Sequence, residues 1–276
     1  MITSVTNDTV KYVDKLKKKA SFRREEGCFV VEGIRMIREV PEARRRMLFL
    51  TEAATEQYPE LESWCGRVET VSEQVLRKLS DTETPQGMLA VVSMEDVMRE
   101  AGMDADKTRS GLKLEAKPDT ELCQPLYLVL DGLQDPGNVG TLIRTAEAVG
   151  ATEVLLSRTS ADPYSPKVVR STMGTIFRVP VRVCEDLPGA VEELKKTGVV
   201  VYGTHLSGTD FYENDLTGPV AFLIGNEGKG LTDEVAATAD CLLRIPMEGQ
   251  VESLNAAVSG SVVAYEAYRQ RKSSGR

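Results

Sequence analysis

The chain has 276 residues, 41% of them hydrophobic and 28% charged, with a formal net charge of −8. That length and balance suit a buried core in one large or two ordinary domains and exclude intrinsic disorder, while the acidity excludes a protein that coats nucleic acid without discrimination. There is no run of about eighteen apolar residues, and Met1-Ile2-Thr3-Ser4 lacks the basic stretch and apolar core of a signal peptide, so a soluble, cytoplasmic protein is expected.

The charge is unevenly spread. Residues 1–50 hold 12 Lys and Arg against 7 Asp and Glu, a local charge of +5 that leaves −13 for the remainder. Lys11, Lys15, Lys17, Lys18, Lys19, Arg23 and Arg24 form the basic run, interrupted only by Asp14. It reads either as the solvated face of a helix or as a phosphate-binding surface. Cys28, Cys65, Cys123, Cys184 and Cys241 are odd in number and scattered, which suits buried free thiols rather than a disulfide framework or a zinc site.

In chain order, short apolar runs predict strands at 28–31, 47–50 and 88–92, with helices at 34–40 and 73–79, a small α/β unit. Residues 95–121 are polar and contain Gly102, Gly111 and Pro118, a composition suited to a helix end and a linker. Stronger strands follow at 126–130, 153–156, 179–183, 199–202, 220–224 and 242–245, with helices at 141–149, 191–196 and 254–271. Such continuous apolar strands predict a doubly wound, largely parallel α/β sheet covered on both faces, with ligands beyond the carboxyl ends of its strands.

Three blocks fall at those ends. In Asp131-Gly132-Leu133-Gln134-Asp135-Pro136-Gly137-Asn138, a turn leads into a helix that Asn138 could cap and that carries Arg144 two turns later. The helix around Arg144 is largely apolar, and a buried unpaired guanidinium is costly, so Arg144 is more than a surface cation. Gly225-Asn226-Glu227-Gly228-Lys229-Gly230 is a glycine-rich loop after a strand, and its spacing fits neither a Walker loop nor a dinucleotide fingerprint. The third block, residues 244–259, ends a strand at Pro246 and starts a small-residue helix near Ser253, a good N-cap. Capping by Ser253 leaves Asn255, a poor helix former in a first turn, unexplained. Ala256, Ala257, Gly260 and Ala264 give this helix a small-residue face suited to a subunit interface.

Together the blocks resemble the SpoU/TrmH family of RNA 2′-O-methyltransferases within the SPOUT superfamily, from Leu126 to about Arg271. The segment Ser165-Pro166-Lys167-Val168-Val169-Arg170-Ser171-Thr172-Met173-Gly174 is similar to the stretch between the family's first and second motifs. Phe29-Val30-Val31-Glu32-Gly33 and Thr84-Pro85-Gln86-Gly87 are similar to the ribosomal-protein-like substrate-binding domain often fused ahead of it. The resemblance implies a C-terminal trefoil knot, S-adenosylmethionine as cofactor, an RNA substrate and a homodimer whose sites take residues from both subunits. It maps the catalytic positions onto Asn138, Arg144, Glu227, Ser253 and Asn255, and the cofactor-binding positions onto Thr204, Gly225, Ile245 and Leu254, with no metal. The expected organisation is a substrate-binding domain at 1–106, a linker at 107–122 and a catalytic domain at 123–276.

Ribosomal RNA is the expected substrate, with transfer RNA the alternative. Arg144 is expected to clamp a phosphate, since a guanidinium with a pKa above ~12 is a poor base. His205, the single histidine, is the alternative base by its ordinary pKa. A catalytically dead RNA-binding module would be expected to have lost some of these residues. A nucleotide-dependent oxidoreductase would need a different glycine spacing.

Overall fold

The computed structural model describes residues 1–94, 124–251 and 253–274. The expected linker at 107–122 lies outside them, as does Cys123. The described chain runs α1 (Asp8–Lys18), α2 (Ala20–Glu26), β1 (Cys28–Glu32), α3 (Ile34–Glu39), β2 (Arg45–Leu50), α4 (Glu52–Gln57), β3 (Val68–Thr70), α5 (Glu73–Leu79) and β4 (Met88–Ser93). It continues through β5 (Leu126–Leu130), α6 (Pro136–Ala148), β6 (Glu153–Ser157), α7 (Pro166–Thr172), β7 (Val181–Cys184) and α8 (Leu187–Lys196). It ends with β8 (Val200–Asp210), β9 (Val220–Ile224), α9 (Asp233–Ala236), β10 (Cys241–Arg244) and α10 (Ala256–Ser273). Two compact units result, and the first takes Asp162–Phe177 from the expected catalytic span as well as the N-terminal residues.

The first unit is built on a mixed sheet of order β1-β4-β2-β3, in which β4 is antiparallel to both neighbours. Helix α1 forms because Val10, Val13 and Leu16 recur at helical spacing and Asn7 caps its start by accepting from Thr9 N at 2.9 Å. These residues pack with Val75, Leu76 and Leu79 of α5 against Val30, Phe49, Leu89 and Val91 on one face of the sheet. On β1, Phe29 points the other way, and its ring centroid lies 5.0 Å from that of Tyr164 and 6.0 Å from that of Phe177. The sheet is thus buried on both faces, the second partly by chain that follows β6.

The basic run is divided by this packing. Arg23 is buried, donating to Leu16 O at 2.6 Å and Lys17 O at 2.9 Å and pairing with Asp162. Lys17 is half-buried and donates to Ser80 O at 2.6 Å, and burial lowers its pKa despite nearby Asp81 and Asp14. Lys11, Lys15, Lys18, Lys19 and Arg24 remain exposed. Neither reading covers Arg23 and Lys17, which are structural, and the solvated face is left to the other five cations. None of Cys28, Cys65, Cys184 and Cys241 forms a disulfide, but only Cys184 is buried.

In the second unit six parallel strands lie in the order β10-β8-β9-β5-β6-β7. Tyr127, Val129, Ala221 and Leu223 turn one face of the sheet toward Leu187, Val191 and Leu194 of α8 and Val235 of α9. On the opposite face α10 packs on α6 and β9. A Cβ on Gly260 would sit 2.6 Å from Leu142 Cδ2 and 2.9 Å from Ile224 Cδ1, so the glycine leaves room for the ends of these two side chains against the helix. Ala256, Ala257 and Ala264 of the same helix are also buried within the chain. The small-residue face thus packs within its own chain, which corrects its expected use between subunits. Arg271 pins the far end of α10, donating to Gly218 O at 2.6 Å, Gln124 O at 2.8 Å, Pro125 O at 3.2 Å and Leu216 O at 3.3 Å. No helix among the described residues is long and apolar enough to cross a membrane.

Candidate active site

The strand order places the site. The chain enters the sheet at β5 and adds β6 on one side, while β9 pairs with β5 on the other, so the loops after β5 and β9 emerge side by side. Buried Asp131 ties them, its Oδ2 accepting from both N and Oγ1 of Thr232 at 2.8 Å. The loop after β9 folds on itself through Asn226 N to Gly230 O and Gly230 N to Asn226 O, each 2.9 Å. A Cβ on Gly225 would lie 2.2 Å from Gly230 C and 2.3 Å from Leu231 N, closer than any side chain tolerates. Asn226 organises the rest: Oδ1 accepts from Gly228 N at 3.0 Å and Lys229 N at 3.1 Å, and Nδ2 donates to Gly132 O at 2.7 Å.

These loops bring the three blocks together. Asn138 Nδ2 donates to Glu227 Oε1 at 2.9 Å, and Asn255 Nδ2 donates to Asn138 Oδ1 at 3.0 Å. Glu227 also accepts from Gln134 N and Asp135 N, both at 3.3 Å. Partial burial raises the Glu227 carboxyl, but the Asn138 amide and these backbone N–H groups outweigh it and hold the pKa below the usual value. The result is an ionised carboxylate at the head of a short polar chain that links residues 117 and 89 positions apart.

Beside this chain lies a pocket of about 410 Å³, of a size that suits a small molecule. Its lining includes all four expected cofactor positions, Thr204, Gly225, Ile245 and Leu254, together with Glu227 and Ser253. Thr204 Oγ1 donates to Leu223 O at 3.0 Å, anchoring the wall to β9. Strand β8 makes room there. Its pairing with β10 jumps from Gly203 opposite Leu242 to Thr209 opposite Leu243, and the excess residues bulge toward the pocket.

Three local expectations are corrected. Asp135, rather than Asn138, caps α6 by accepting from Asn138 N at 3.1 Å, which frees the Asn138 amide for Glu227 and Asn255. Asn255, rather than Ser253, caps α10 by accepting from Ala257 N at 2.9 Å and Val258 N at 3.3 Å, and this accounts for an asparagine in that place. Arg144 is exposed rather than buried on α6, so the cost of a buried guanidinium does not apply, and no described residue hydrogen-bonds or ion-pairs with it. The structure thus gathers Asn138, Glu227 and Asn255, sets Ser253 on the pocket wall, and leaves Arg144 outside both. Asp131, Asp135 and Asn226 were missed, although Asp-Pro before a helix is a capping signal and Asn before glycines a turn signal. His205 lines the pocket, its Nδ1 2.8 Å from Ser207 Oγ, with no contact to the Glu227 chain.

Residues 125–265 match the SpoU rRNA methylase family, and residues 7–90 match an MRM3-like substrate binding domain. The chain is 34% identical over 268 residues to a 23S rRNA (guanosine(2553)-2′-O)-methyltransferase of Bacillus subtilis (strain 168), covering 96% of this chain and 97% of that protein. Its fold is similar to the SpoU methyltransferase AviRb of Streptomyces viridochromogenes in complex with AdoMet, at a TM-score of 0.82 and 28% identity, covering 97% of this chain and 99% of that one. It is also similar to an AdoMet-bound rRNA methyltransferase of Sinorhizobium meliloti, at a TM-score of 0.78 and 30% identity, with 97% of each chain covered. A family match over the parallel sheet, a full-length relative and three sequence blocks meeting at one pocket agree, and the chain belongs to the SpoU/TrmH family of RNA methyltransferases, with a substrate-binding domain ahead of the methylase domain.

Proposed function

We propose that this chain methylates a ribose 2′-hydroxyl of ribosomal RNA with S-adenosylmethionine as donor. The observation that carries the reading is the Glu227–Asn138–Asn255 chain beside a pocket whose wall holds all four cofactor positions. The pocket fits the cofactor in size and lining: its volume suits a small molecule, and its wall is apolar at Leu231, Leu243, Ile245 and Leu254 beside the hydroxyls of Thr204 and Ser253. Bound there, S-adenosylmethionine supplies an electrophilic methyl group on a positively charged sulfur.

The protein's share is alignment and control of one proton. Asn138, held by Glu227 on one side and Asn255 on the other, presents a fixed polar edge for the target ribose, and Ser253 adds a hydroxyl at the pocket wall. Arg144, exposed and without a partner among the described residues, clamps the target phosphate and can relay the 2′ proton only by releasing one of its own to solvent as it takes it, so that its charge does not change. Its distance in role from the Glu227 chain is accounted for by a homodimer, in which a second copy brings Arg144 over a pocket. The outer face of α10 suits that contact, since Val258 and Tyr265 are 48% and 49% exposed. The remaining parts of the reading are a trefoil knot formed by the segment around β10 and α10, and a domain division at 1–106 and 123–276. Exposed Lys11, Lys15, Lys18, Lys19 and Arg24 make the first domain the RNA reader.

The test is methyl transfer from tritiated S-adenosylmethionine to ribosomal RNA and to tRNA, followed by nucleoside mass spectrometry. A labelled 2′-O-methylnucleoside in ribosomal RNA is expected. Label on a base would overturn the reaction, and label confined to tRNA would overturn the substrate.

A further inference from the structure

Among the described residues, three charged or titratable side chains line the pocket: His205, Glu227 and Lys229. Two of them are engaged. Glu227 accepts from Asn138, Gln134 and Asp135, and His205 Nδ1 accepts from Ser207 N at 3.2 Å and lies within hydrogen-bond reach of Ser207 Oγ. Lys229 differs: its backbone N–H is held by Asn226 Oδ1 at 3.1 Å, while its side chain has no hydrogen bond or ion pair with any described residue. The loop therefore fixes the backbone of an exposed lysine at the pocket wall and leaves its ammonium unengaged.

This arrangement selects for a ligand with an anionic end. Most of the remaining lining is neutral, including Leu231, Leu243, Ile245 and Leu254, and a carboxylate placed near Glu227 would meet like charge. The loop N–H groups that could have received a carboxylate, those of Gly228 and Lys229, already donate to Asn226. We propose that Lys229 is a specificity-determining residue that binds the carboxylate of the cofactor's amino-acid tail. This rests on the reading of the pocket as the S-adenosylmethionine site. The contact is an exposed charge-assisted hydrogen bond, so its effect is moderate and weakens as salt rises.

The test is calorimetry on the full chain with two probes. S-adenosylhomocysteine carries the amino-acid tail, whereas 5′-methylthioadenosine keeps the nucleoside and sulfur but has no carboxylate. Lys229→Ala should weaken S-adenosylhomocysteine binding about tenfold and leave 5′-methylthioadenosine within about twofold. Lys229→Arg should keep most of the affinity for the first probe. Equal losses for both probes would mean that the loop itself was disturbed and would overturn the inference. So would an unchanged S-adenosylhomocysteine affinity, with or without a loss of RNA affinity. Failure of the wild-type chain to bind either probe would instead overturn the reading of the pocket.

Discussion

Asn138 is the middle of the polar chain, and replacing it separates the catalytic geometry from the cofactor pocket. Asn138→Ala removes the 2.9 Å bond to Glu227 and the 3.0 Å bond from Asn255. A hydrogen bond to a charged group contributes ~1.5–3 kcal/mol and a neutral one ~0.5–1.5 kcal/mol, and partial exposure argues for the low ends. The sum is about 2 kcal/mol, or about thirtyfold in rate if the alignment is expressed fully in the transition state. Asn138→Asp still accepts from Asn255 but replaces the ~1.5 kcal/mol bond to Glu227 with a carboxylate repulsion of about 1 kcal/mol even at the dielectric of water, a loss of about 2.5 kcal/mol or roughly seventyfold. Single-turnover methyl transfer reads this loss. Calorimetry with S-adenosylhomocysteine on the same preparations should show affinity within about threefold, because Asn138 does not line the pocket. Near-normal turnover in the aspartate variant would refute the reasoning, and parallel loss of cofactor affinity would show that the two sites are not separable.

Gly225→Ala should abolish S-adenosylhomocysteine binding with unchanged circular dichroism, since its Cβ would fall 2.2 Å from backbone; binding within about tenfold of wild type would contradict the close approach. Arg144→Ala and Arg144→Lys should both lose turnover by on the order of a hundredfold with cofactor affinity unchanged, the lysine failing because it lacks the planar fork, and full turnover in the lysine variant would reduce the role to charge alone. Deleting residues 1–106 should cost soluble yield as well as RNA affinity, because Tyr164 and Phe177 lose the Phe29 face they pack on; a soluble, cofactor-binding remainder would show that Asp162–Phe177 repacks. Arg269 pairing, against an opposing effect of burial and with help from Gln270, holds Glu266 below the usual carboxylate range. A depressed folded pKa stabilises above the unfolded value and is lost as pH falls through the folded one, so Glu266→Gln should lower the melting temperature at pH 7 and by less at pH 3. Equal losses at both pH values would rule that out.

The alternation of apolar runs and the three blocks were legible in the chain because they are local. A strand buried on both faces must be continuously apolar, as in Leu126–Leu130 and Val220–Ile224, and close backbone approach admits only glycine at position 225. Family resemblance likewise rests on residue identity in order, and it selected Asn138, Glu227 and Asn255 before their contact was visible. Capping was harder. Asp135, Asn138, Ser253 and Asn255 are all chemically able to cap a helix, and only backbone geometry decided that the aspartate caps α6 and Asn255 caps α10. Long-range packing decided the rest. Arg23 and Lys11 are equivalent in a charge count, yet one is buried against Asp162, 139 residues away, and the other stays in solvent. The small residues of α10 would suit a subunit interface or an internal one, and the choice fell to Leu142 and Ile224, which reach the space a Gly260 side chain would fill. Asp162–Phe177 has the composition of its own neighbourhood and joins the other unit because Phe29, Tyr164 and Phe177 bury one another there. Which apolar surfaces meet depends on where the strand order brings them, and a one-dimensional pattern carries no record of that.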